Sequence, residues 1–223
     1  MSKSVLVVAA HADDEALGCG GTIARHVAEG DIVHGIFIAD GVGSRKDASY
    51  EALKTREAAA QKAHSLLGFS SVSYLGFPDN RLDGINLLDI VQSVEGSLQT
   101  IMPDVVYTHH YGDLNIDHRV AHQAVMTACR PIPGSSVTEI YTFEIMSSTE
   151  WSSPGLSPFL PTCYVDISEY LELKLDALKA YELEMRDMPH SRSIEHLEAL
   201  ARHRGHSVGV SAAEAFMVMR NIR

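Results

Sequence analysis

Short apolar runs that alternate with helix-like stretches constrain this chain more than any other feature. The first run, residues 5–10, is uncharged and rich in valine, which is typical of a strand buried on both faces. Further runs at residues 33–39, 72–75 and 104–108 predict three more strands. Alternation of this kind predicts an α/β fold, with a mostly parallel sheet and helices on both of its faces.

Between and after these strands, apolar residues recur with helical spacing. This pattern predicts helices at residues 17–29, 50–67 and 86–101, one that begins near His118, and two more at 168–181 and 193–204. A further strand is expected at residues 138–144, in a proline-rich stretch. No repeat or long linker divides the chain, so we expect one Rossmann-like domain over residues 1–223.

Composition excludes several classes of protein. The formal net charge of −11 argues against nucleic acid as a partner, since binding to phosphates needs a basic surface. Apolar runs are too short for a membrane span, and the first is too short for a signal peptide, so we expect a soluble cytoplasmic protein. The three cysteines form no C-x-x-C pair, so neither a disulfide framework nor a cysteine zinc site is indicated.

A dense polar cluster, residues 11–15, follows the first predicted strand. It contains one histidine and three acids, His11, Asp13, Asp14 and Glu15. In open α/β sheets, ligands bind at the carboxyl ends of the strands. Carboxylates this close repel one another unless a cation joins them, so the cluster predicts a divalent metal.

A second polar cluster, residues 109–118, follows the fourth predicted strand. In the doubly wound order 3-2-1-4 the first and fourth strands are neighbours, so both clusters would meet in one crevice. Histidine and carboxylate ligands with one open position are typical of a catalytic zinc site. His122 lies one helical turn after His118, and we interpret it as a supporting or structural residue rather than a ligand.

The glycines at positions 18, 20 and 21 also suggest a dinucleotide-binding turn. However, the third glycine of that motif is replaced by Ile23, and the acids nearby would repel a pyrophosphate. We therefore expect the glycines to allow a close turn beneath the metal loop.

Taken together, these motifs resemble the PIG-L/LmbE-like family of zinc-dependent N-acetyl-sugar deacetylases. The resemblance covers most of the chain. It rests on residues 10–15, the glycines at 18, 20 and 21, the stretches 55–57 and 75–79, the pair Asp117-His118, and two segments near the end, 201–205 and 213–216.

The resemblance implies that His11, Asp14 and His118 hold Zn²⁺ or another divalent cation, and that Asp13 is the general base. Three protein ligands leave a fourth position for water, whose pKa falls to about 7 on zinc. Asp117 is suited to orient a metal-binding imidazole by contacting the ring nitrogen that does not bind the metal. Glu15 either orients an imidazole in the same way or caps the first helix.

Two residues depart from the family pattern. Ala12 stands where proline is usual, which should change only the stiffness of the loop. Asn115 stands where the family has a histidine that stabilises the oxyanion or protonates the leaving group. Asn115 can donate a hydrogen bond but not a proton, so either Asp13 carries the proton alone or His109, His110 or His206 takes the role.

By the same resemblance, Arg56 and Asp79 would bind the sugar. Without it, Arg56 could pair with helix acids such as Glu57, and Asp79 could simply stabilise a turn. The loops at residues 40–47 and 130–161 are expected to shape the pocket.

The expected substrate is a small N-acetylated amino sugar or sugar conjugate. The alternatives are hydrolysis of another amide, in an antibiotic or a thiol-pathway conjugate, and a metal-retaining sugar-binding protein without catalysis. A homo-oligomer would fit the family, but no sequence feature establishes one.

Overall fold

The computed structural model describes residues 2–41, 43 and 50–223. Within these residues, seven strands form one sheet in the order β3-β2-β1-β4-β5-β7-β6. The strands are β1 Ser4–Ala9, β2 Ile32–Ala39, β3 Ser71–Phe77, β4 Val105–His109, β5 Glu139–Phe143, β6 Cys163–Asp166 and β7 Ala213–Asn221. The helices are α1 Asp14–Ala28, α2 Tyr50–Leu67, α3 Leu87–Ile101, α4 Ile116–Ala128, α5 Leu171–Ala180 and α6 Ile194–His206.

The expected α/β fold is confirmed, including the central position of β1. Val5 in β1 is in parallel register with Val33 of β2 on one side and with Val105 of β4 on the other. The strand order therefore reverses between β1 and β4, which places the topological switch where the two polar clusters begin. The sequence did not predict the antiparallel edge made by β7 and β6.

Helices cover both faces of the sheet because β1 is apolar on both sides. Val5, Val7 and Ala9 pack into a core formed with α1, α2, α5 and α6. The alternating residues Leu6 and Val8 pack into a second core with α3 and α4. No helix in the described part of the chain is long and apolar enough to cross a membrane.

Helix α1 begins at Asp14, three residues earlier than expected, and it is kinked. Cys19 leaves the helical conformation, with φ −147° and ψ 23°. The expectation of a glycine turn is therefore wrong, because the glycines lie inside this kinked helix. A Cβ atom on Gly18 would overlap the Phe143 ring, and one on Gly21 would lie 2.7 Å from Ile167. The glycines let the helix pack closely against these side chains.

The kink exposes backbone N–H groups that an uninterrupted helix would use itself. The carboxylate of Glu214, on β7, accepts hydrogen bonds from Gly21 N (3.0 Å) and Thr22 N (2.7 Å). Lys174, on α5, donates to the same carboxylate and to the carbonyl oxygen of Leu17 (2.8 Å). The backbone N–H groups after the glycines are thus satisfied by a carboxylate of the chain itself and are not left for a phosphate.

Candidate metal centre

The carboxyl end of β1 and the first turn of α1 bring the first polar cluster together. His11 follows β1, whereas Asp14 and Glu15 lie in the helix rather than in a loop as expected. The backbone N–H of His11 donates to Asp14 Oδ2 (2.8 Å), and His11 Nδ1 lies 3.3 Å from the same oxygen. All three side chains are buried, so their charges are shielded from water.

The second cluster reaches the same place from β4 and α4. Helix α4 begins at Ile116, two residues before the expected position, and Asn115 caps it by accepting the Asp117 N–H (2.8 Å). His118 therefore lies in the first turn of α4, where it is 1% exposed. Its ring stacks on that of His109, with the ring centroids 4.0 Å apart.

Asp14 Oδ1 and both ring nitrogens of His118 are buried at the junction of the clusters and make no hydrogen bond. Asp14 Oδ1 and His118 Nε2 lie 3.5 Å apart. Two ligands of a tetrahedral zinc ion lie roughly 3.3 Å from each other, which is close to this separation. His11, Asp14 and His118 supply nitrogen and carboxylate donors within reach of one another, so this set fits a zinc-like divalent cation.

A second triad, His11, Asp79 and Asp117, is also close enough to hold a metal. The oxygens of Asp117, however, already accept backbone N–H groups, Asn80 N at 2.7 Å and Leu82 N at 3.0 Å. These bonds use lone pairs that a metal would need. The set with unpartnered atoms is therefore the stronger metal candidate.

Each histidine of the favoured set is backed by a carboxylate on its other nitrogen. Asp117 Oδ2 lies 3.1 Å from His11 Nε2, and Asp113 Oδ1 lies 3.1 Å from His118 Nδ1. Carboxylates in this position fix the orientation of metal-binding imidazoles. Burial raises the pKa of Asp113, but its contacts with His118, Ser148 and Thr149 outweigh burial and lower the pKa to about 2.

Asp13 stands beside the metal candidates without joining them. Each of its carboxylate oxygens accepts a hydrogen bond from an arginine, Oδ1 from Arg56 (3.2 Å) and Oδ2 from Arg192 (3.0 Å). Burial raises the pKa of Asp13 to about 6, although both guanidinium groups act in the opposite direction. Its backbone has φ 135°, a conformation that L-residues rarely adopt and that surrounding contacts must hold.

Glu15 supplies one of those contacts. Its Oε2 accepts the backbone N–H of Asp13 (2.9 Å), and its Oε1 accepts the hydroxyl of Tyr181 (2.6 Å). His64 Nε2 lies 3.3 Å from the same Oε1. Glu15 thus holds the backbone N–H of Asp13, the residue before α1, and the imidazole that it contacts is that of His64, which is not one of the metal candidates.

A polar cavity of about 140 Å³ opens beside these groups. Its lining consists of His11, Asp13, Gly41, Arg56, Asp79, Asn80, Asn115, Glu184 and Arg192. Arg56 is 9% exposed and donates to Glu184 Oε1 (2.6 Å), so it does not form the exposed pair with Glu57 that the sequence allowed. Asp79 is buried, with Oδ1 3.1 Å from His11 Nε2.

The loops at residues 40–47 and 130–161, which were both expected to shape the pocket, contribute to the cavity in different ways. Of residues 40–47, only Asp40, Gly41 and Gly43 are described, and Gly41 lines the cavity. The 130–161 segment supplies none of the lining residues named above. It supports the cavity through Ser148, whose Oγ accepts the Asn115 N–H (3.3 Å).

Sequence reasoning missed Glu184 and Arg192, which come from the connection between α5 and α6. Asp113 was part of the second cluster but had no predicted role. Charged residues in an irregular segment carry no periodic signal, and nothing in the sequence around Arg192 marks it as a partner of Asp13.

The histidines considered in place of Asn115 do not line the cavity. His109 Nε2 accepts the backbone N–H of Ala10 (2.8 Å), and His110 Nε2 donates to the carbonyl oxygen of Ser157 (2.8 Å). His206 is exposed at the end of α6. His122 Nδ1 donates to the carbonyl oxygen of His109 (2.9 Å) and stands apart from the metal candidates, consistent with a structural role.

Comparison with known proteins agrees with this geometry. Residues 6–129, more than half of the chain, match the family model described as PIG-L, GlcNAc-PI de-N-acetylase. The chain belongs to the PIG-L family. A PIG-L relative, the uncharacterized deacetylase YaiS of Escherichia coli (strain K12), is 32% identical over 186 residues, which cover 81% of this chain and 91% of the relative.

Solved structures with this PIG-L fold superimpose over nearly the whole chain. The conserved protein TT1542 from Thermus thermophilus has a TM-score of 0.80 and 28% identity, covering 99% of this chain and 96% of its own. The N,N'-diacetylchitobiose deacetylase from Pyrococcus horikoshii has a TM-score of 0.79 and 22% identity, covering 98% and 84%. The family match and the YaiS relative support deacetylation of N-acetylated sugar conjugates at the level of the family.

Proposed function

We propose that this protein is a zinc-dependent hydrolase that removes the acetyl group from an N-acetylated amino sugar or sugar conjugate. The observation that carries the proposal is the buried, unpartnered pair of Asp14 Oδ1 and His118 Nε2, with the Asp13 carboxylate beside it. An orphaned carboxylate oxygen and imidazole nitrogen are costly to bury unless a cation completes them.

The proposed ligands are His11, Asp14 and His118. When bound there, zinc lowers the pKa of water and polarises the amide carbonyl. Asp13 takes the proton from the attacking water and passes it to the departing amine. Arg56 and Arg192 fix the direction of the Asp13 carboxylate. Asp117 and Asp113 hold the two imidazoles in place.

Asn115 is proposed to donate a hydrogen bond to the oxygen of the reacting acyl group. Its Oδ1 is engaged by the helix cap, so its NH₂ group remains for a ligand in the cavity. This role stabilises developing charge and needs no proton transfer. Arg56 and Asp79 border the same cavity and are proposed to bind the sugar hydroxyl groups.

The test is to replace Asp13 by Asn and to measure both metal content and acetate release. The variant should retain stoichiometric metal, because Asp13 is not a proposed ligand. Its turnover should fall by about 10²–10⁴-fold, because the general base is lost. Turnover is assayed on a panel of N-acetylated amino sugars and conjugates.

Asp83→Asn is the matched control, since Asp83 is an exposed acid outside the cavity lining and its variant should behave as wild type. Loss of metal from Asp13→Asn would instead make Asp13 a ligand. Wild-type protein that carries no stoichiometric divalent metal, or that keeps its activity in a chelator, would refute the proposal.

Asn115 favours one alternative, a sugar-binding protein that retains the metal and lacks catalysis. In place of a histidine, the chain has a side chain that caps α4 and carries no proton to deliver. Metal-loaded wild type that binds N-acetyl sugars but turns over none of the panel would support this alternative. Turnover confined to acylated antibiotics or thiol conjugates would assign a different amide substrate.

A further inference from the structure

Trp151, the single tryptophan of the sequence, is 52% exposed. It lies between β5 and β6, in the connection that leaves the same sheet edge as the candidate metal centre. Scattered exposed aliphatic residues are normal on protein surfaces. Trp151 differs from them because it belongs to a chain of contacts that leads to the cavity.

One series of contacts runs from Trp151 through His190 to Arg192. The rings of Trp151 and His190 meet edge to face, with centroids 5.6 Å apart and planes at 81°. His190 Nδ1 accepts the backbone N–H of Arg192 (3.0 Å). Arg192 lines the cavity and donates to Asp13 Oδ2. His190 therefore connects the indole to a wall of the cavity.

A second series of contacts runs to the cavity from the residues that precede Trp151. Ser147 Oγ accepts Arg192 Nε (2.7 Å), and Ser148 Oγ accepts the Asn115 N–H (3.3 Å). Glu150 holds this turn by accepting the backbone N–H groups of both serines, at 2.6 and 3.1 Å. The segment is thus attached to two cavity-lining residues, Arg192 and Asn115, and Trp151 comes directly after it in the sequence.

We infer that Trp151, held in place by its edge-to-face contact with His190, is an aromatic platform that binds a second pyranose ring, the one attached to the amino sugar in the cavity. An indole offers a flat apolar face to the C–H face of a sugar, while the sugar hydroxyls stay in water. The cationic side chain of Arg192 beside the platform disfavours a positively charged ligand. The inference rests on the proposed function and narrows its substrate to a glycoside of at least two rings.

Because the chain has one tryptophan, its fluorescence reports on the platform directly. The experiment titrates the Asp13→Asn variant, whose expected turnover is too slow to consume its ligand during a titration, with N,N'-diacetylchitobiose and with N-acetylglucosamine. The disaccharide should produce a saturable change in the emission of Trp151. The monosaccharide, which fills only the cavity, should produce none.

Kinetics then test whether the contact matters for recognition. Trp151→Ala should raise the KM for the disaccharide roughly three- to tenfold, leave kcat unchanged, and leave the KM for the monosaccharide unchanged. Trp151→Phe should restore most of the affinity, because it restores an aromatic face. Leu88→Ala, which removes an exposed side chain on α3, is the matched control and should change neither constant.

The possible outcomes distinguish the proposed function from the proposed platform at Trp151. If the disaccharide changes the fluorescence but neither sugar is hydrolysed by wild type, the proposed function fails and the platform stands. No fluorescence change with the disaccharide overturns the platform, whatever the turnover. An octyl glycoside of N-acetylglucosamine that depends on Trp151 as strongly as the disaccharide does would also overturn it, since the surface would then recognise any apolar group.

Discussion

Helix α1 contacts two buried groups of charges, and they are built in opposite ways. Around its kink, Lys174 and Glu214 form a neutral pair in which each oxygen of the carboxylate accepts a backbone N–H. At its amino end, the candidate metal centre contains all five aspartates that are buried within the described residues. There Asp14 Oδ1 and His118 Nε2 are left without a hydrogen bond.

The difference separates a structural use of buried charge from a functional one. Burying a charge is costly, and the protein offsets that cost at the kink with its own groups. At the amino end it brings in Arg56 and Arg192, and both are directed at Asp13 rather than at Asp14. The remaining negative charge around Asp14 is what a bound cation would compensate.

The largest expected effect on stability is at the kink. Lys174→Met leaves the Glu214 carboxylate buried without its cation and should lower the free energy of unfolding by about 3–5 kcal/mol. Urea denaturation measures this loss. Metal content of the folded fraction should not change. A loss below about 1 kcal/mol would show that the pair is no more than a surface ion pair in its energetics.

The next prediction concerns stabilisation by zinc, which should depend on the candidate metal centre and not on the kink of α1. Zinc at 100 times its dissociation constant should stabilise wild type by about 2.7 kcal/mol, because it binds only the folded state. His118→Ala should lose this stabilisation together with turnover, while His122→Ala should keep it. Thermal unfolding with and without zinc provides the measurement. Equal stabilisation of His118→Ala would remove His118 from the ligand set.

The smallest of these effects concerns the residues behind the ligands. Asp113→Asn should weaken metal affinity about 10–100-fold, because His118 loses the carboxylate that orients it. Competition against a chromophoric chelator measures the change. Asp89→Asn, on the exposed surface of α3, is the control. Unchanged affinity in Asp113→Asn would mean that α4 alone fixes the His118 ring.

Features that depend on local pattern could be predicted from the sequence. The parallel strands and most helices follow from the periodicity of apolar residues. The two clusters could be placed together because carboxyl ends of adjacent parallel strands share one edge. His11, Asp14 and His118 are within reach of one another for this reason, although His118 lies more than a hundred residues after His11.

Features that depend on distant charged residues could not be predicted. Arg56 meets Glu184, and Gly21 meets Glu214, across 128 and 193 residues of sequence respectively. In sequence these acids look like ordinary surface charges. Strand β7 was also missed. Glu214 is buried there together with its neighbours on both sides, so burial does not follow the apolar pattern of the sequence.

The contact of Glu214 with the kink also has a consequence for synthesis. Glu214 leaves the ribosome 193 residues after Gly21. Until β7 arrives, Gly21 and Thr22 lack their acceptor and Lys174 lacks its counter-charge. The kinked part of α1 therefore obtains its acceptor only after β7 has been translated, although the helix itself is made much earlier.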